Sequence, residues 1–537
     1  MFKKNTRHTQ TNIFGFTNIV SPQMAKELQD SEEQKFYELI FRNIIEEDFA
    51  CIYSDTDSRP NAPINCLVSA LLLQNKQRLT YERLFDNIKF NLLTKIALGL
   101  QTLDEVPFSE ATLFNFQNRL ASHFIQTGEN LLEKAFDHLT QKQLKELNIK
   151  TDIQRTDSFQ AASNIRRYSR LQLLVEMLIR IHKVITEEDR KEYEELFSPY
   201  IKRKTSGQFL YRLSQEDIPK ELERVGKVYK EINNKLKPKY SEVEIFKIFE
   251  RVYSEHFTLV EEKVIIRSSE ELTSSMIQSP DDIDATYRKK GGKEFYGQTV
   301  NIVETCSPDN KINLITDISV HANNTDDSKG LNERIDIVKE KTPELNELHF
   351  DGAYPSDDND RKFEEYSITP VQTAIRGRES EGVEIKITKD EFSAADIHEQ
   401  YSAETSRFSV SCPNQTVEAQ QTKKRFKAEF NPDICSSCSL LSKCQLIKKK
   451  NAKAYYFTEE EYLKRKRFQS IKNIPKERRN LRTNIEATVS EFTRKMNNRK
   501  LKARGLFKAQ IFAYAVGIGV NFGRVNRYLS SQTLAIS

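Results

Sequence analysis

The stretch TVNIVETCSPDNKINLITDISV, residues 299–320, decides the fold class. Its two ends, 299–306 (TVNIVETC) and 312–320 (INLITDISV), are rich in β-branched residues. Ser307-Pro308-Asp309-Asn310-Lys311 between them is turn chemistry. The pattern therefore predicts two strands. A helix follows, with Leu331, Ile335 and Val338 on one face and Thr342-Pro343 as its stop. Residues 345–350 (LNELHF) read as another strand, running into Asp351-Gly352-Ala353-Tyr354. Upstream, residues 153–159 (IQRTDSF) read as a strand with Asp157 near its end. The order strand, inserted helices, strand, strand, helix, strand predicts a mixed sheet with helices packed against it, an α+β (mixed) fold.

Working outward, the first ~145 residues have helical spacing: Leu67, Leu71 and Leu72, then Tyr81, Leu84, Phe85 and Ile88. Pro60 and Pro63 suit the opening of the first of these helices, and Ser109 caps the last. Leu171, Leu174, Val175, Leu178, Ile181 and Ile185 restore helical spacing after the 153–159 strand, and charged helical sequence continues beyond them. The expected organisation is a helical N-terminal domain (1–145), the first part of the core (146–167), a helical insertion (168–279), the core sheet (280–375), a β-rich cysteine insert (376–456) and closing helices (457–537). In the last segment, Leu481, Ile485, Val489 and Phe492 predict one buried helical stripe with Arg482 and Glu486 beside it on a shared face.

Apolar residues make up 38% of the 537 and charged residues 30%, yet 32 Phe and 20 Tyr exclude a disordered chain. No uninterrupted apolar run is long enough to predict a membrane span. The opening MFKKNTRHTQTNIFGF has no secretory h-region, so a cytoplasmic protein is expected. Charge is the more telling property. Residues 441–510 carry 21 Lys and Arg against 6 Asp and Glu, a net +15, which leaves −10 on the rest of the chain. The runs 448–450 (KKK) and 464–467 (KRKR) and the later NNRKLKARG point to a polyanionic partner, namely nucleic acid.

Cutting or joining a phosphodiester requires an activated oxygen nucleophile and a stabilised leaving oxygen, which two hard cations held by carboxylates provide. Asp157 and Asp351 at strand ends, and Glu486 in the most basic region, are candidates. Asp281, Asp282 and Asp284, and Asp326 and Asp327, read as solvated loops or caps, and His349 as a structural histidine. Cys51, Cys66 and Cys306 read as core residues. Cys412 with Cys435-x2-Cys438-x5-Cys444 is a candidate structural zinc site, against the plainer reading of four reduced thiols.

Taken together, Arg155-Thr156-Asp157-Ser158, NNTDDS (323–328), HFDGAY (349–354) and RTNIE (482–486) resemble a DDE transposase of a bacterial insertion sequence. The resemblance implies a ribonuclease H-like catalytic core and runs from about residue 60 to 524. It implies that Asp157, Asp351 and Glu486 are catalytic and bind two Mg²⁺ (or Mn²⁺). It further implies 3′-end cleavage and strand transfer on DNA: the inverted-repeat ends of the element and a target. Arg482 matches the arginine of the family's Y-x2-R-x3-E-x6-K signature. Arg479 stands at the tyrosine position and Thr493 at the lysine position, with Arg494 and Lys495 just beyond. Arg479, Arg482, Arg494, Lys495 and the run Lys464, Arg465, Lys466 and Arg467 are the expected DNA contacts, the N-terminal helices the expected end readers, and a homodimer the expected active form. The chain has no Trp to wedge beside a flipped base. The rival readings are an inactive DNA-binding descendant and a nuclease that hydrolyses without joining.

Overall fold

The computed structural model describes residues 1–536 except 11, 57–58, 203–204, 212, 374–382, 384, 390–407, 445, 449–452, 497–498 and 502; the side chains of 470–473, 476, 479 and 533–536 also lie outside the described residues. The fold is mixed α+β, with a mixed sheet flanked by helices as in ribonuclease H-like cores. The chain divides into two compact units: residues 1–151, 156–326 and 485–537 form one, and residues 152–155 and 327–484 the other. Strand β1 (Ile153–Ala162) begins in the second unit and continues in the first.

The first unit is built around its most apolar helices. Ile64–Gln77 opens after Pro63 and buries every residue from Ile64 to Gln74. The closing helix, Leu506–Ile536, packs against it, against Leu131–Glu146 and against the core sheet. This closing helix is long and apolar enough to cross a membrane, but 67% of its most apolar window is buried inside the unit. Buried Asn521 explains how a helix settles beside a strand end: its side chain accepts from the Ile315 N–H and donates to the Ile315 carbonyl, both at 2.9 Å. That pairing satisfies backbone groups that burial would otherwise penalise. Strands β2 (Phe257–Val260) and β3 (Lys263–Ile266) form a separate hairpin on the helical insertion. The insertion has a core of its own, centred on Leu174, Leu178, Tyr229, Ile232, Phe246 and Phe249.

Strands β4 (Thr286–Lys290) and β5 (Lys293–Thr305) are joined by the two-residue turn Gly291-Gly292, both with positive φ. A two-residue hairpin turn of this kind demands such backbone angles, and glycine adopts them without strain. Strand β6 (Ile315–Ala322) pairs antiparallel with β5, and the register shifts between Val303 and Glu304. Sequence had indicated β5 and β6 but began β5 six residues late and missed β4; the Gly-Gly signal was there to be read.

In the second unit, the first residues of β1 pair in parallel with β7 (Glu347–Phe350), in the register Ile153↔Glu347 to Arg155↔His349. Strand β7 pairs in parallel with β8 (Thr369–Gln372). The helix Asp357–Glu365 covers them, with Phe350 and Phe363 stacked at 5.6 Å. A second, antiparallel sheet includes β9 (Lys386–Lys389), β10 (Phe408–Cys412), β11 (Gln415–Gln421), β12 (Phe426–Phe430), β13 (Ile447–Lys448) and β14 (Lys453–Phe457), around a core of Phe408, Phe426, Phe457 and Tyr462.

Candidate active site

Asp157 lies in the middle of β1, not near a strand end, because the strand runs on to Ala162. Its carboxylate is half-buried, and Oδ1 accepts from the Ser158 N–H at 2.9 Å. Side chains two residues apart on a strand share a face, so Asp157 and Phe159 face the same way. The Phe159 ring meets Phe492 at 5.9 Å. Phe492 belongs to the helix Ile485–Thr493, which buries Ile485, Thr488 and Phe492 at helical spacing. Glu486, in the first turn of that helix, is exposed beside the buried stripe. Within the first unit, therefore, the helix bearing Glu486 is docked on the face of β1 that bears Asp157.

A buried ion network sets the register of that docking. Glu304 is fully buried and accepts from Arg524 at 2.8 Å and from the Thr488 hydroxyl at 2.7 Å. Arg524 also donates to Glu491 at 2.7 Å and to the Asn313 carbonyl at 2.9 Å. Burial alone would pull the Arg524 guanidinium down, but Glu304 and Glu491 outweigh it and hold its pKa above the ordinary value. The β5–β6 register shift adjoins Glu304, and irregularities of this kind re-aim a strand side chain. Sequence reading did not find this network, because an Arg and a Glu 220 residues apart carry no local signature.

In the second unit, Asp351 follows β7 directly. Its Oδ1 accepts from the Ala353 N–H at 2.8 Å, and its Oδ2 lies 3.8 Å from the Arg482 guanidinium. On the same strand, Glu347 and His349 are buried; the His349 Nε2 lies 2.7 Å from the Glu347 carboxylate, which Arg478 also engages. Burial raises the Glu347 pKa, but His349 and Arg478 more than reverse this and hold it below the usual carboxylate value. Arg155 donates to the Leu481 carbonyl at 2.7 Å. Residues 476–484 are thus strapped to β7 by Arg478 and Arg482. Arg482 sits in the 3-10 turn Asn480–Asn484, ahead of the α-helix that starts at Ile485, so it does not share an α-helical face with Glu486 as the spacing had predicted.

The remaining expected DNA contacts are placed variously. Lys464 and Arg494 are exposed. Lys466 is exposed and paired with Glu364 at 2.7 Å. Arg465 donates to the Ile385 carbonyl at 2.9 Å, and Arg467 is buried against Asp360. Lys495 donates to the Lys76 carbonyl at 2.9 Å, and burial beside Lys76 and Arg78 lowers its pKa. The Arg479 side chain and Lys449–Lys450 lie outside the described residues.

Cys412, Cys435, Cys438 and Cys444 line one small cavity with Lys453. Asn414 donates to the Cys438 sulfur at 3.0 Å and Gln415 to that of Cys435 at 3.3 Å. Among the described residues, no group of three or more His, Cys, Asp or Glu is gathered as metal ligands are.

Residues 404–526 match the family described as Transposase DDE domain, and residues 23–119 match Transposase domain (DUF772). The two matches support reading the chain as a DDE transposase of an insertion sequence. Transposases as a class bind and cleave DNA. Glu486 and Arg482 fall inside the DDE match, whereas Asp157 and Asp351 lie outside both matches. No curated protein and no solved structure matches the chain significantly.

Proposed function

We propose that this transposase binds the inverted-repeat ends of its own element in the bacterial cytoplasm, cleaves their 3′ ends and joins the freed 3′-hydroxyls to target DNA, with Asp157, Asp351 and Glu486 as the catalytic carboxylates. The observation that carries this reading is the docking of the Glu486 helix on the Asp157 face of β1 through Phe159 and Phe492.

An all-carboxylate donor set has the chemistry of a hard cation site, and DDE transposases as a class use divalent metals. Two bound Mg²⁺ or Mn²⁺ ions would supply activation of the attacking oxygen and stabilisation of the leaving oxygen. The chain's own residues do the rest. Arg482 steadies the Asp351 carboxylate, and the Glu304–Arg524 network holds the Glu486 helix in register. Lys464 and Arg494 neutralise backbone phosphates, giving salt-dependent affinity. Two ends must meet, so the active form is a homodimer, which light scattering on the end-DNA complex would report. The four cysteines share one small cavity, which supports zinc held by Cys412, Cys435, Cys438 and Cys444 as thiolates, provided that they draw closer together on binding it.

The test uses the full chain with duplexes carrying the element's ends and Mg²⁺. Nicking at the 3′ end, and joining of precut ends to a target, are the expected products. Each of Asp157→Asn, Asp351→Asn and Glu486→Gln is expected to lower the rate about a thousandfold, equivalent to ~4 kcal/mol of lost transition-state stabilisation, with DNA binding retained. Nicking without joining would establish the nuclease reading, and binding without either reaction the inactive descendant.

A further inference from the structure

The helix Glu110–Thr127 has two contrasting sides. Leu113, Phe116 and Leu120 are buried, and Ser109 caps the start by accepting from the Thr112 N–H. Gly128, in the left-handed conformation, ends it. Opposite the buried side runs an exposed stripe at helical spacing: Phe114, Asn115, Asn118, Arg119, Ser122 and Ile125.

Three properties of this stripe stand together. From 111 to 127 the helix has no Asp or Glu, in a chain with 78 of them. Among the described residues, no side-chain hydrogen bond occupies Asn115, Asn118 or Ser122. By contrast, the charged surface of the insertion helix Ile218–Tyr240 is tied into pairs such as Lys237–Glu250 and Arg224–Glu221. The side chains themselves are those that read bases: Asn bonds adenine in two places, Arg bonds guanine likewise, and apolar groups meet the thymine methyl. A carboxylate there would repel phosphate, so its absence fits a polyanion. The 18-residue helix is ~27 Å long, and a major groove about 12 Å wide admits one α-helix. The helix Tyr81–Phe90 abuts its start through Tyr81, whose ring lies 4.5 Å from Phe114, and presents exposed Lys89 and exposed Arg83, the latter 3.8 Å from Asp86.

We infer that the helix Glu110–Thr127 is the element's end-recognition helix, lying in the major groove with Asn115, Asn118 and Arg119 on base edges, while Arg83 and Lys89 hold the phosphates. The inference rests on the end-binding reading above and names the surface that does the reading.

The test measures affinity at fixed salt for a duplex of the flanking inverted repeat and for a scrambled duplex of equal length. Asn115→Ala, Asn118→Ala and Arg119→Ala are each expected to weaken end binding about tenfold and scrambled binding hardly at all. Arg83→Ala is expected to weaken both alike and to reduce the salt slope. Arg119 also lies over the Tyr53 ring at 4.9 Å, so the two asparagine variants, with no such contact, guard against a folding effect. A triple variant that folds and keeps the wild-type preference for ends would overturn the inference while leaving the end-binding reading intact. Wild-type protein with no preference for ends would overturn both. Loss of dimer formation with end preference unchanged would make the stripe a protein contact and also reject the inference.

Discussion

Replacing Arg524 with methionine tests how the Glu486 helix is held. The guanidinium serves Glu304 at 2.8 Å, Glu491 at 2.7 Å and the Asn313 carbonyl at 2.9 Å. At an effective dielectric of about 20, the Glu304 contact has a gross attraction of ~6 kcal/mol, most of which offsets the cost of taking both charges out of water. Removing one partner leaves the other buried and unpaired, which costs about 3–5 kcal/mol. The Glu491 arm adds less than ~1 kcal/mol, because that carboxylate is a third exposed. Arg524→Met is therefore expected to destabilise the first unit by about 4 kcal/mol. Glu304→Leu with Arg524→Met removes both charges and should cost only ~1–2 kcal/mol, so the cycle yields a coupling of at least ~2 kcal/mol. Urea unfolding followed by circular dichroism measures the totals. Native-state hydrogen exchange at 485–493 localises the effect, since a chain with two units need not unfold in one step. A single substitution costing under ~1 kcal/mol, or a double variant costing the sum of its singles, would refute the network as the anchor of this helix.

Two further predictions concern the insertion and the cysteines. His256 is buried, with Nδ1 accepting from Arg170 at 3.2 Å, and burial together with the Arg170 charge pushes its pKa down to about 4. The unfolded chain, titrating near 6.5, binds the proton more readily. The contribution of His256 is therefore complete above about pH 6.5 and is lost as pH falls toward 4, by about 3 kcal/mol in all. The insertion should lose urea resistance over that window, and His256→Asn should flatten the dependence; identical pH profiles for the two proteins would exclude His256 as the cause. For the thiols, elemental analysis of protein purified without chelator should find about one zinc per chain, falling to none in Cys435→Ser/Cys438→Ser. Metal-free protein with unchanged melting would leave these cysteines as plain thiols.

Much of the fold was legible because it is written locally. β-branched runs around the Ser307–Lys311 turn marked β5 and β6, the Leu331 stripe marked the crossover helix, and Pro63 and Ser109 marked helix starts. Errors arose where a local signal was truncated. The strand through Asp157 was expected to stop early, yet Ala161 and Ala162 extend it; Gly297 permits this, since a Cβ there would meet the Ala161 carbonyl oxygen at 2.3 Å. The 481–492 stripe read as one helix because a 3-10 turn and an α-helix differ little in apolar spacing over a single turn. The three carboxylates entered as strand-end and basic-region candidates, but any acidic residue at a strand end satisfies that pattern, and the resemblance is what gave the three one shared role.

Sequence alone determined most of the elements, the basic tract from 441 to 510 and the acidic character of the rest, because propensity, capping and charge are properties of neighbouring residues. Tertiary structure decided what those charges are for. Arg467, from the most conspicuous basic run, is buried against Asp360, while Arg524 holds Glu304 and with it the helix of Glu486. A charge in water and a charge in a core look identical in one dimension. Burial, which depends on what folding brings alongside, leaves one hydrated and makes the other a structural bolt.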